Sequence, residues 1–157
     1  FAAISGGVIA EKIGHKDPRN YSRICWIGAA VAWPCAMLMV LTTNNFWLSI
    51  AMLFARYAFG ENYWSPNLYM IQKSCKPSEF GSYIGAYQFF NIIAGCISTI
   101  GVGFLVNNMG FGQTPKGLGR VIAGVASIGY AGSILAWWKA GNLLKRKSEM
   151  TEKLAPA

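Results

Sequence analysis

Residues 81–106 read GSYIGAYQFFNIIAGCISTIGVGFLV, a run of 26 residues without a charged side chain. About 20 consecutive apolar residues make a helix long enough to cross the ~30 Å hydrocarbon layer of a bilayer. In lipid a helix satisfies its own backbone donors and acceptors, so the stretch predicts a spanning helix. Residues 24–41 and 121–138 each run 18 residues without a charge, and 46–71 is interrupted only by Arg56 and Glu61. Four full spans are therefore expected, at about 20–43, 46–72, 81–107 and 119–139. They come after the end of one more helix before Ile13. The expected fold class is all-α: a polytopic transmembrane helix bundle over residues 1–141, with a frayed basic tail over 142–157. The first partner is the lipid bilayer.

Composition agrees: 54% of the 157 residues are hydrophobic and 13% are charged. The chain begins at Phe1, within what reads as a helix already under way. It is therefore expected to be a piece of a longer chain, with missing N-terminal helices as further partners. The cysteines Cys25, Cys35, Cys75 and Cys96 form no CxxC pair, and His15 is the single histidine. Neither pattern has metal-ligand spacing, so no metal and no cofactor are expected.

A net charge of +8 raises the question of nucleic acid, and its distribution answers it. Lys12, Lys16, Arg19, Arg23, Lys73, Lys76, Lys139, Lys145, Arg146, Lys147 and Lys153 all fall on one side of the expected spans. Lys116 and Arg120 are on the other, and Arg56 is inside. This is the positive-inside bias, which places the basic loops and the C-terminus in the cytoplasm. The charge is topological, with added attraction of the Lys145–Lys147 cluster to anionic lipid, and no nucleic-acid partner is expected. Asn20-Tyr21-Ser22 is a formal glycosylation sequon on the cytoplasmic side, so no glycan is expected there.

Small residues recur four apart at Gly28/Ala32, Gly81/Gly85, Ala94/Ser98 and Gly129/Ser133. Such pairs let helix backbones approach closely in lipid, where apolar burial does not drive association.

Three constellations could carry function. Residues 56–67 read RYAFGENYWSPN. A charge at the centre of a spanning helix costs roughly 2.5–3.5 kcal/mol on insertion scales, so Arg56 and Glu61 should face a cavity or other helices. At 100° per residue Arg56, Gly60, Tyr63, Trp64 and Asn67 share one stripe, with Glu61 on its flank. Arg56 suits an anionic group, Glu61 a cation or proton, and the aromatics an apolar body. The competing reading is a buried polar network that sets helix register. Pro66 removes a backbone hydrogen bond and is expected to kink the helix. In the next span Tyr87, Gln88 and Asn91 could line the same cavity or bond between helices.

The third constellation is Gly7-Val8-Ile9-Ala10-Glu11-Lys12-Ile13-Gly14-His15-Lys16. It resembles the cytoplasmic signature loop of the major facilitator superfamily, G-x-x-x-D-(R/K)-x-G-(R/K)-(R/K). Gly7, Lys12, Gly14 and Lys16 match; Glu11 stands for the Asp and His15 for a base. In that family the loop stabilises a gate-closed state through charge contacts between helices. With the span pattern, the chain looks like helices eight to twelve of such a transporter, a partial half of its fold. The same loop also occurs in helices two to six. The stretch from Gly60 to Asn67 further resembles spinster-type members, which export lysolipids and sphingolipids. The resemblance implies alternating access that moves a small organic or lipid-like solute, with proton coupling as one option: Glu61 is open to a proton, a cation or only Arg56. The alternative is a truncated, non-transporting membrane subunit or scaffold. Paired catalytic carboxylates and nucleophile motifs are absent from the sequence, so an enzyme is not expected.

Overall fold

The computed structural model describes residues 2–14, 17, 19–42, 44–108, 110 and 114–154, with the side chains of 2–5 and 151–154 left aside. Along the chain run α1 (Ala2–Gly14), α2 (Arg19–Leu41), α3 (Phe46–Gly60), a 3₁₀ turn (Glu61–Tyr63), α4 (Trp64–Ser74), a second 3₁₀ turn (Pro77–Glu79), α5 (Phe80–Asn108) and α6 (Pro115–Leu154). No strand occurs among the described residues. Three segments, Arg19–Leu41, Pro77–Asn108 and Pro115–Met150, are long and apolar enough to cross a membrane. The architecture is an all-α membrane bundle.

Local chemistry sets the helix starts. The Asp17 carboxylate accepts the Arg19 N–H at 2.9 Å ahead of α2. The Asn45 side chain accepts the Leu48 N–H at 3.2 Å and caps α3. Thr114 accepts the Gly117 N–H at 3.1 Å, and Pro115 opens α6, where its missing N–H costs nothing.

Two stretches differ from the sequence-based expectation. The expected single helix over 46–72 is divided. The Glu61 N–H still bonds to the Tyr57 carbonyl, but the Trp64 N–H bonds to the Glu61 carbonyl, so the ladder tightens to i→i+3 over Glu61–Tyr63. Pro66 accounts for this: it has no N–H to give to residue 62, and its ring crowds that carbonyl. With its 15 residues, α3 alone is about 22 Å long, short of the ~30 Å layer. The turn and α4 prolong it. The second difference is the C-terminal segment, expected to be a frayed tail over residues 142–157. Instead α6 continues as one helix to Leu154. Its distal residues are good helix formers, and Lys145 pairs with Glu149 one turn on at 3.4 Å.

At the centre stands α2. Its buried residues, Tyr21, Ser22, Cys25, Ala29, Ala32 and Ala36, recur every three or four positions and are mostly small. Against α6 it runs antiparallel along its length. Near one end the Ser22 hydroxyl donates to the Trp137 carbonyl, and a Cβ on Gly141 would sit 2.7 Å from Ser22. At mid-length the Trp33 indole donates to Ser127 Oγ at 3.1 Å. At the far end a Cβ on Gly119 would lie 2.6 Å from the Val40 carbonyl oxygen. Toward α3, a Cβ on Gly28 would lie 2.9 Å from the Phe59 carbonyl oxygen. Beyond them α1 packs on the 3₁₀ turn and α4, and α5 sits at the edge with no buried residue.

Candidate functional site

Arg56 lies in the last turn and a half of α3, and its side chain reaches across a helix boundary. Its Nε donates to the Tyr130 hydroxyl of α6 at 3.3 Å. The guanidinium also sits 5.0 Å over the Tyr57 ring, within cation–π range. These contacts hold a half-buried cation beside a cleft of about 390 Å³. Arg56, Tyr57 and Gly60 come to it from α3, and Glu61 and Tyr63 from the 3₁₀ turn. Tyr87 and Asn91 come from α5, Tyr130, Ser133, Ala136 and Trp137 from α6, and Ala29 from α2. The Tyr63 and Trp137 rings meet at 5.3 Å between centroids.

Six sequence-predicted residues, Arg56, Gly60, Glu61, Tyr63, Tyr87 and Asn91, are thus brought together. Trp64, Asn67 and Gln88 do not line this cleft. The 3₁₀ turn explains the first two. It advances 120° per residue rather than 100°, so its three residues rotate α4 by ~60° from the stripe an unbroken helix would present. Trp64 instead approaches the Tyr87 ring, with centroids 6.4 Å apart, and Asn67 is buried against α6 and the start of α5. Gln88 stands one residue, and so about 100°, around α5 from Tyr87.

Sequence reasoning missed the α6 contribution. Tyr130, Ser133 and Trp137 stand at i, i+3 and i+7, which is one helical face. That spacing of polar and aromatic groups inside an apolar span was the available signal. It was obscured because Ser133 reads as half of a small-residue pair and Trp137 as an interface anchor.

Among the described residues no ion pair joins Arg56 to Glu61. Five positions apart on one chain segment, they do not face each other. Each therefore presents its charge separately, Arg56 beside Tyr130 and Glu61 exposed at the cleft edge. The cleft thus presents a guanidinium, a carboxylate at its edge and the aromatic rings of Tyr63 and Trp137. Among the described residues no cluster of His, Cys, Asp and Glu is placed to hold a metal ion.

The signature-like segment packs through its glycines. A Cβ on Gly7 would meet Ser65 at 3.3 Å, one on Gly6 would meet the Asn62 carbonyl oxygen at 2.5 Å, and one on Gly14 would enter the Tyr21 ring. That ring stacks on Tyr69 of α4 at 4.1 Å. Close glycine contact therefore joins α1 to the segment that carries Glu61. Glu11 and Lys12 are exposed, and among the described residues neither is in an ion pair. His15 and Lys16 lie outside the described residues.

Compared with known proteins, the chain is 26% identical over 132 residues, 83% of its length, to a protein of Mycolicibacterium smegmatis named MFS-type efflux pump. The match covers 30% of that protein's length. No family profile and no solved structure matches the chain.

Proposed function

We propose that this chain is part of a secondary transporter of the major facilitator type, and that the cleft around Arg56 is where its solute binds. The observation that carries the reading is a cation inside a membrane bundle, held by Tyr130 from a different helix and open to a cleft rather than paired with Glu61. A lone intramembrane charge is costly and persists where it does work on a solute or an ion. The similarity to an efflux pump supports the same reading and favours export. The chain corresponds to about helices eight to twelve, so alternating access requires further helices to rock against it. Its solute is small, organic or lipid-like. An anionic group lies on Arg56, the apolar body rests on Tyr63 and Trp137, and Glu61 takes a proton or a cationic group.

Transport by the full-length protein in proteoliposomes tests this. Arg56→Ala should lower the initial rate by about tenfold or more, the loss of a charge-assisted contact. Glu61→Gln should uncouple transport from an imposed pH gradient. Unchanged transport in both variants would sink the reading and favour a non-transporting subunit or scaffold.

A further inference from the structure

Five rings border the cleft beside Arg56: Tyr57, Tyr63, Tyr87, Tyr130 and Trp137. Among the described residues that line it, no aliphatic side chain is larger than that of alanine. The apolar part of a solute therefore meets flat π surfaces. Aromatic rings favour offset or tilted pairing, with centroids about 4.5–7 Å apart. Tyr63 and Trp137 already stand in this way, 5.3 Å apart and tilted by 38°. A flexible alkyl chain is better matched by branched aliphatic walls, which the described lining lacks.

The polar end is as narrowly defined. A guanidinium carries one N–H on Nε and two on each terminal nitrogen. Arg56 gives its Nε–H to the Tyr130 hydroxyl at 3.3 Å, and its central carbon lies 5.0 Å from the centre of the Tyr57 ring. One side edge and one face are thus occupied, which leaves the paired terminal nitrogens as the edge for a solute. Two parallel N–H groups match the two oxygens of a carboxylate. Glu61 stands at the edge of the same cleft and repels a second negative charge.

We infer that the solute is an aromatic monocarboxylate, its carboxylate held by the terminal nitrogens of Arg56 and its ring laid on the Tyr63–Trp137 pair. Tyr130 is a positioning residue: through Nε it sets which edge of the guanidinium faces the solute. The inference rests on the reading of this cleft as the solute site and narrows that reading to one class. A fatty acid has the carboxylate without the ring. A neutral aromatic amide has the ring without the charge.

The test is calorimetric titration of the full-length protein in detergent with 2-naphthoate, 2-naphthamide and octanoate, each against protein-free micelles. Naphthoate should bind about tenfold or more tightly than naphthamide, the weight of a charge-assisted contact. It should also bind more tightly than octanoate. Tyr130→Phe keeps the ring and removes the hydroxyl. It should weaken naphthoate about fivefold and leave naphthamide unchanged, so that the selectivity falls. A merely structural loss would weaken both alike. Equal affinity for naphthoate and naphthamide overturns the inference, because the charge is then not read. Equal affinity for octanoate and naphthoate overturns it too, because the rings then select nothing. Equal weakening of naphthoate and naphthamide by Tyr130→Phe overturns the positioning role. Binding of none of the three also overturns the inference, and the transport rate of Arg56→Ala then separates the two readings. A slowed rate leaves the solute site standing and removes only its class; an unchanged rate removes both.

Discussion

The helices α2 and α5 both contain long charge-free apolar stretches with small residues four apart, yet they behave oppositely in the bundle. In α2 the small residues are contact points: Gly28 meets the Phe59 backbone, Ala32 meets Gly60, and Ala29 and Ala36 are buried. In α5 the glycines at 81, 85, 95, 101 and 103 have nothing within 4 Å of where a Cβ would stand. Aromatic and branched residues such as Phe89, Phe90, Ile97 and Ile100 are exposed. Two apolar helices in lipid are distinguished by the shape of one face, because the solvent is as apolar as the side chains. The polar groups sharpen this. Ser22 and Trp33 of α2 have hydrogen-bond partners on α6, whereas Thr99 of α5 bonds back to its own Gly95 carbonyl.

The largest expected effect breaks the α2 contact. Gly28→Leu would drive a side chain into the Phe59 carbonyl, which belongs to a backbone and cannot step aside. A loss of about 3 kcal/mol is expected, the upper range for overpacking, read from unfolding in mixed micelles. A loss below a few tenths would mean that α3 can shift away from α2. A smaller effect is expected from Trp33→Phe, which removes the indole donor to Ser127 and keeps most of the ring. It should cost about 1 kcal/mol by the same measurement. The smallest effect, with the opposite sign, belongs to α5. Gly85→Ala meets open space and relieves a helix of glycine entropy, so stability should be unchanged or raised by about 0.5 kcal/mol. A clear destabilisation by Gly85→Ala in the full-length protein would show that another helix is packed on α5 there, and would end the contrast.

Much of the fold is legible in the sequence because the governing interactions are local. The long apolar stretches and the meeting of Arg56 and Glu61 at one cleft stem from residue type and spacing. The break at Glu61–Tyr63 is half legible: Pro66 announces a disturbance, but not that a turn of tighter helix carries Trp64 and Asn67 off the stripe. The Gly28/Ala32 pair packs as its spacing suggests, while Gly81/Gly85 has the same spacing and packs on nothing described. Spacing states that a backbone can come close, not that one does.

The sequence by itself determined the solvent and the long helical spans. A backbone in lipid must close its hydrogen bonds within its own segment, and that requirement reads directly as long apolar runs. Only the tertiary structure decided which faces meet. The partnership of Arg56 with Tyr130, the α6 wall of the cleft and the tie from Lys147 to Ser74 join residues more than 70 positions apart. Their pairing depends on close fit between helices, to which hydrophobicity contributes no contrast inside a membrane.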